Sequence, residues 1–170
     1  IALDYGKAFD SLNHYTIISK LIDCKFPATF IKLIISYLTN RKQSVRISNV
    51  TSDWKSITSG VPQGSILGPS LFSLVMSDLN CISSSTGIVK FADDVTLSVP
   101  LYYSGNNVIS EIENIFKWSD SVGLKLNFTK CQYLLISSSK NCIPVRIPNF
   151  TLTTGMKLLR IHSQLLVVLI

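Results

Sequence analysis

Two aspartates stand side by side at positions 93 and 94, where one short apolar stretch gives way to another. Residues 88–91 and 95–99 both carry strand-type patterning, with Val95, Leu97 and Val99 alternating against Thr96 and Ser98. The acids therefore fall at the tip of a hairpin, with Ala92-Asp93-Asp94 as its turn. Adjacent carboxylates repel, and the pair is costly unless solvent or a cation neutralises it. Taken alone, Asp-Asp at a hairpin is an ordinary surface turn. Its meaning depends on what the fold brings beside it.

Residues 1–3 read as the tail of a buried strand, and Asp4 stands at its end, followed closely by Lys7 and Asp10. A lone strand-end aspartate is commonly a cap or turn residue. If this strand and the acidic hairpin are neighbours in one sheet, Asp4, Asp93 and Asp94 face one point. Hard oxygen ligands of this kind suit Mg²⁺, which takes one or two carboxylates and leaves its other positions to water and phosphate. Two such ions about 3.5–4 Å apart activate a hydroxyl and stabilise the leaving oxygen of an in-line displacement at phosphorus. The implied chemistry is phosphoryl or nucleotidyl transfer. On these residues alone, nucleases and cyclases remain open beside polymerases.

The rest of the chain alternates helix and strand signals. Asp10-Ser11 can cap a helix carrying Leu12, Tyr15, Ile18, Leu21 and Ile22 on one side. Pro27 suits the first turn of a second helix, whose Phe30, Leu33, Ile34, Tyr37 and Leu38 share a face, with Asn40 as its stop. Residues 43–50 and 54–58 suggest a hairpin turning near 49–53, and residues 60–68, rich in Gly, Pro and Ser, must be a loop. Leu71, Phe72, Val75, Met76 and Leu79 mark a buried helix opened by Pro69, and a further helix spans about 107–122. Strand-like stretches follow at 132–136 and 145–152.

At 46% hydrophobic residues, a 170-residue chain can fill the core of one domain, which argues against disorder. Its longest aliphatic run, residues 165–170, is far short of the roughly 18–20 residues of a membrane span, so a soluble protein is expected. Cys24, Cys81, Cys131 and Cys142 are widely spaced, without zinc-site spacing, and read as reduced intracellular thiols. The net charge of +6 is compatible with a polyanionic partner, but the basic residues lie scattered and define no patch.

Four strings carry a resemblance. Leu3-Asp4-Tyr5-Gly6-Lys7-Ala8-Phe9-Asp10, Gly60-Val61-Pro62-Gln63-Gly64-Ser65-Ile66-Leu67-Gly68-Pro69 and Phe91-Ala92-Asp93-Asp94 resemble palm motifs A, B and C of reverse transcriptases from non-LTR, LINE-like retrotransposons, the jockey group in particular. Trp118 with Gly123-Leu124-Lys125-Leu126-Asn127-Phe128-Thr129-Lys130 is similar to motif D. Order and spacing match over residues 1–137. The Gly60 to Pro69 string is the most specific of the four, and a metal nuclease would leave it unexplained.

The resemblance implies an α+β palm, with a small antiparallel sheet bearing the acids and helices packed on one face. It implies an RNA-directed DNA polymerase in which a primer 3′-OH attacks the α-phosphate of a dNTP and pyrophosphate leaves. Asp4 and Asp93 would be the principal metal ligands with Asp94 as the third acid, holding two Mg²⁺ ions, for which Mn²⁺ could substitute. Phe9 would be the steric gate against a ribose 2′-OH, and Gln63 and Gly64 would lie against nucleotide and template. Lys130 would approach the triphosphate as charge stabiliser or general acid. The partners would be an RNA template, a DNA primer and dNTPs, in the nucleus or cytoplasm, with no membrane.

The chain opens at motif A, so the resemblance places the fingers motifs upstream of it. Residues 138–170 would be a partial or divergent primer-grip region, with the thumb missing. Residues 155–160 are only loosely similar to that region, and 162–170 depart from it as a shifted reading frame would. A catalytically inactive transposon remnant, or a fragment that only binds nucleic acid, is the alternative expectation.

Overall fold

The computed structural model of the chain describes residues 1–100, 106–134 and 151–152. The first half runs β1 (Ala2–Leu3), α1 (Ala8–Ser11), α2 (His14–Asp23), α3 (Ala28–Leu38), then β2 (Lys42–Gln43), β3 (Arg46–Ile47), β4 (Val50–Thr51) and β5 (Lys55–Ser56). The second half runs α4 (Leu67–Met76), β6 (Gly87–Phe91), β7 (Asp94–Ser98), α5 (Asn106–Val122), β8 (Gln132–Tyr133) and β9 (Thr151–Leu152).

The central sheet has the order β6-β7-β1-β8-β9. Its pairings are antiparallel, as expected of the sheet, except that of β8 with β9, which is parallel. Parallel neighbours need a crossover connection, and two short apolar stretches in a sequence do not announce one. The remainder of the stretches expected as strands at 132–136 and 145–152, apart from Leu134, falls outside the described residues, as do Cys142 and residues 153–170.

Period-two patterning decides which side of the sheet is covered. Val95 and Leu97 are buried, whereas Val89 and Phe91 on the neighbouring strand are 68% and 80% exposed. The inward side chains join one core with Leu3, Leu12, Ile17, Phe72 and Ile115, drawn from β1, the helices and the segment between α1 and α2. A smaller cluster of Val108, Ile112 and Tyr133 seats α5 against β8. The architecture is helices plus small, mainly antiparallel sheets.

Where one helix was expected after Asp10-Ser11, the chain makes two. Asn13 breaks the run and caps α2, its side-chain oxygen accepting from the Tyr15 N–H at 2.8 Å. The cap shifts the buried stripe to Leu12, Ile17 and Leu21 and leaves Tyr15 and Ile22 exposed. In α3, Ile34 and Leu38 are buried with Phe30, Ile31 and Tyr37 beside them, while Leu33 faces solvent. Asn40 adopts the left-handed conformation expected of a helix stop, at φ +55°.

The expected hairpin after α3 exists, but its turn is at Ser48-Asn49, because Ile47 pairs with Val50. The ladder is interrupted. Lys42 pairs with Ser56 and Arg46 with Thr51, a change of register that sets residues 44–45 against residues 52–54 and makes a bulge. The Ser52 hydroxyl accepts the Val45 N–H at 2.9 Å, supplying a bond the bulge would otherwise cost.

Helix α4 is shorter than its apolar pattern, and Leu79 is buried in the turn beyond it. The end is fixed by Lys90 of β6, whose Nζ donates to the carbonyls of Met76 at 2.9 Å, Ser77 at 3.2 Å and Leu79 at 2.9 Å. A cation is the favoured partner for carbonyls left unpaired at a helix C-terminus.

Helix α5 holds the following loop with a buried acid. Glu111, only 1% exposed, accepts the N–H groups of Ile82 at 2.9 Å and Ser83 at 2.8 Å. Asn114 and Trp118 add bonds from the same helix to the Asn80 carbonyl and the Asp78 carboxylate. Glu111→Ala would leave two backbone donors unpaired and is expected to lower stability by about 2–4 kcal/mol. Urea denaturation followed by circular dichroism checks this, and an unchanged midpoint would refute the clamp.

Candidate active site

Strand β1 lies between β7 and β8, and its register with β7, Ala2 opposite Thr96 and Leu3 opposite Val95, carries the chain towards Asp94 at the next step. The hairpin closes on the pair Phe91–Asp94, so the turn is Ala92-Asp93 alone and Asp94 is the first residue of β7. Ala92 takes φ +52° to make it. Asp4 and the two hairpin acids, distant in sequence, thus stand at one end of adjacent strands.

The backbone of Asp4 is held from the motif D side. Its N–H donates to the Cys131 sulfur at 3.4 Å, and its carbonyl accepts the Asn127 N–H at 2.8 Å. Tyr5 bridges to Leu126, and the Gly6 N–H donates to the Lys125 carbonyl at 2.9 Å. Burial pushes the Cys131 thiol up, so the sulfur beside Asp4 stays protonated at neutral pH. Cys131 is a residue that sequence reasoning passed over, because nothing about a lone cysteine predicts a contact with a strand so far upstream. With Cys24 and Cys81 it is a free thiol, as expected of the cysteines.

The Asp4 carboxylate is less constrained. Its Oδ2 lies 3.8 Å from the Nζ of the exposed Lys130, a partly solvated pair whose worth is about 0–1 kcal/mol. Its Oδ1 is buried with no hydrogen-bond partner. A buried carboxylate oxygen without a donor fits a cation as its missing partner. Among the described residues, however, no three His, Cys, Asp or Glu side chains gather closely enough to hold one ion. Asp4, Asp93 and Asp94 are brought together as the ends of adjacent strands.

The second group forms around α1. Phe9 stacks on Phe72 of α4 with ring centroids 4.4 Å apart, so its ring is backed by a fully buried side chain. The loop over residues 60–66 is sewn to this place by backbone bonds: the Gly60 N–H donates to the Leu12 carbonyl at 2.7 Å and the Val61 N–H to the Phe9 carbonyl at 2.8 Å. His14 Nε2 bonds the Gly60 carbonyl at 2.8 Å. Gln63 is tethered to Asp10, its Nε2 donating to Oδ1 at 2.7 Å. Gly64, at φ +76°, is exposed and has open space where a side chain would stand. Asp10 and His14 are further residues whose part the sequence did not disclose.

A shallow cleft of about 500 Å³ beside α5 is lined by Phe116, Asp120, Leu124, Leu126 and Phe128 among others, and includes none of the candidate residues. No helix among the described residues is long and apolar enough to cross a membrane.

Known proteins share this pattern. The family described as reverse transcriptase (RNA-dependent DNA polymerase) matches residues 1–159. The chain is 35% identical over 113 residues, 62% of its length, to a probable RNA-directed DNA polymerase from transposon BS of Drosophila melanogaster. It is 29% identical over 156 residues, 85% of its length, to the RNA-directed DNA polymerase from mobile element jockey of Drosophila funebris. It is 32% identical over 143 residues, 76% of its length, to the Pol polyprotein of the type-2 element R2DM of Drosophila melanogaster. It spans only 12%, 17% and 13% of these relatives. Because the match runs through all four strings and most of the chain, the chain belongs to the reverse transcriptase (RNA-dependent DNA polymerase) family, among relatives from jockey, X-element and R1/R2 non-LTR retrotransposons.

Proposed function

We propose that residues 1–137 are the catalytic palm of an RNA-directed DNA polymerase, with residues 138–170 leading into a primer-grip region. The reaction is attack of a primer 3′-OH on the α-phosphate of a dNTP, templated by RNA. The observation that carries this reading is the placing of Asp4, with its partnerless buried Oδ1, at the end of the strand beside the Asp93-Asp94 hairpin. Asp4, Asp93 and Asp94 would hold the divalent ions the family uses, Mg²⁺ or in its place Mn²⁺, which when bound acidify the attacking hydroxyl and neutralise charge at phosphorus.

The chain's own residues position the reactants. The Phe9 ring, stiffened by Phe72, closes the space where a ribose 2′-OH would lie. Gln63 and Gly64 offer a polar edge and a bare backbone to the incoming nucleotide and template. Lys130 is exposed enough to leave Asp4 for a triphosphate, whose charge it would stabilise as pyrophosphate departs.

Primer extension on RNA by the full-length polyprotein tests the gate. Phe9→Ala is expected to raise ribonucleotide incorporation relative to deoxynucleotide by roughly 10- to 100-fold, the range a pocket gains by rejecting one hydroxyl. Unaltered sugar discrimination would remove Phe9 from the nucleotide site.

A further inference from the structure

The ribbon at residues 41–56 gathers charge that is scattered in the sequence. Arg41, Lys42, Arg46 and Lys55 face the single acid Asp53, which places half of the net +6 on sixteen of 170 residues. Among the described residues no acid forms an ion pair with any of the four cations. Every residue of the ribbon except Ser44 is exposed, and none belongs to either core cluster. A two-stranded ribbon without a core is marginal in water, so one that presents Trp54 at 68% exposure fits a partner better than it fits solvent.

Register sorts its side chains. Lys42, Arg46, Thr51 and Ser56 fall on one side, while Gln43, Ile47, Val50 and Lys55 fall on the other. The base of the ribbon adjoins the candidate site: the Ile57 N–H donates to the Arg41 carbonyl at 2.9 Å, and two residues on the Ser59 hydroxyl donates to the Asp10 carbonyl at 3.0 Å. Asp10 is the residue that tethers Gln63.

We propose that this ribbon binds an unpaired stretch of nucleic acid, with phosphates on Lys42 and Arg46 and a base stacked on Trp54. Charge complementarity selects a polyanion, and an exposed indole beside the cations selects one whose bases are free to stack. That the strand is the template running towards Gln63 rests on the polymerase reading. The binding itself does not, because it needs neither metal nor dNTP.

The test is fluorescence anisotropy of a labelled 20-nucleotide single-stranded RNA with the 170-residue chain, without divalent ions, across a KCl series. The double variant Lys42→Gln, Arg46→Gln is expected to reduce the slope of log K against log salt by about 1.4, at roughly 0.7 per phosphate contact. Trp54→Ala is expected to weaken binding about 5- to 100-fold with the slope unchanged. Lys117→Gln, an exposed side chain on α5, is the control and should do neither. Circular dichroism confirms that the variants fold.

Equal slope changes for Lys117→Gln and the ribbon variants would mean diffuse attraction, and would overturn the proposal. So would RNA binding indifferent to Trp54→Ala together with self-association that Ile47→Asp abolishes, which would make the ribbon a protein interface. If the ribbon variants behave as expected and the full-length polyprotein extends no primer, the polymerase reading fails alone. If extension proceeds and the ribbon variants change nothing, the ribbon fails alone.

Discussion

Adding one methyl group at Gly60 is expected to destabilise the chain by about 2–5 kcal/mol, combining the penalty of an L-residue in the left-handed region with overpacking. Gly60 sits at φ +80°, and a Cβ there would approach the Asp10 Cα, the Asp10 carbonyl oxygen and the Phe9 carbonyl oxygen to 2.7 Å each. All three atoms are backbone, so no rotamer change relieves the contact. They belong to α1, which carries Phe9 and Asp10, so the displaced loop would also pull Gln63 from its tether. The comparison is Gly64→Ala. Gly64 has nearly the same φ, +76°, but nothing within 4 Å of its missing side chain, so only the conformational penalty of about 1–2 kcal/mol applies. Urea titrations of both variants measure the difference. Equal losses would show that the seam between α1 and the loop is not as tight as it stands here.

The second large effect is on chemistry. Asp93→Asn in the full-length polyprotein is expected to lower primer extension by at least about 10³-fold, near 4 kcal/mol of barrier, while the fold is kept. Asparagine is isosteric, Asp93 lies in a turn and is not buried, and removing one of two adjacent negative charges relieves repulsion. Stability should therefore hold within about 0.5 kcal/mol. Thermal denaturation and steady-state extension separate the two outcomes. Full activity in this variant would end the assignment of Asp93 as a metal ligand.

The parts legible in the sequence were those with a strong local signal. The acidic hairpin, α5, the stop at Asn40 and the loop at 60–68 all follow from period and turn chemistry within a few residues. The parts that were not legible depend on a contact far away. A pattern suggesting one helix could not show that Asn13 would cap a new one, and Leu33 fits the apolar period of α3 yet finds no neighbour. The pairing of β8 with β9 depends on a crossover. At the site, Phe9, Gln63 and Asp4 could be named from their strings, but the Cys131 sulfur and the Asp10 tether that hold two of them could not.

The three carbonyls gathered by Lys90 make α4 a strut. At ten residues, roughly 15 Å, it begins where the Gly60–Pro69 string ends and is clamped at its far end to the strand that leads into Asp93. A helix resists compression, so a displacement of the loop that carries Gln63 would be passed along α4 towards the strand before the acidic turn. Loop and acidic turn are thus held at the two ends of one rod, and a shorter side chain at position 90 would release one end without altering the loop or the acids themselves.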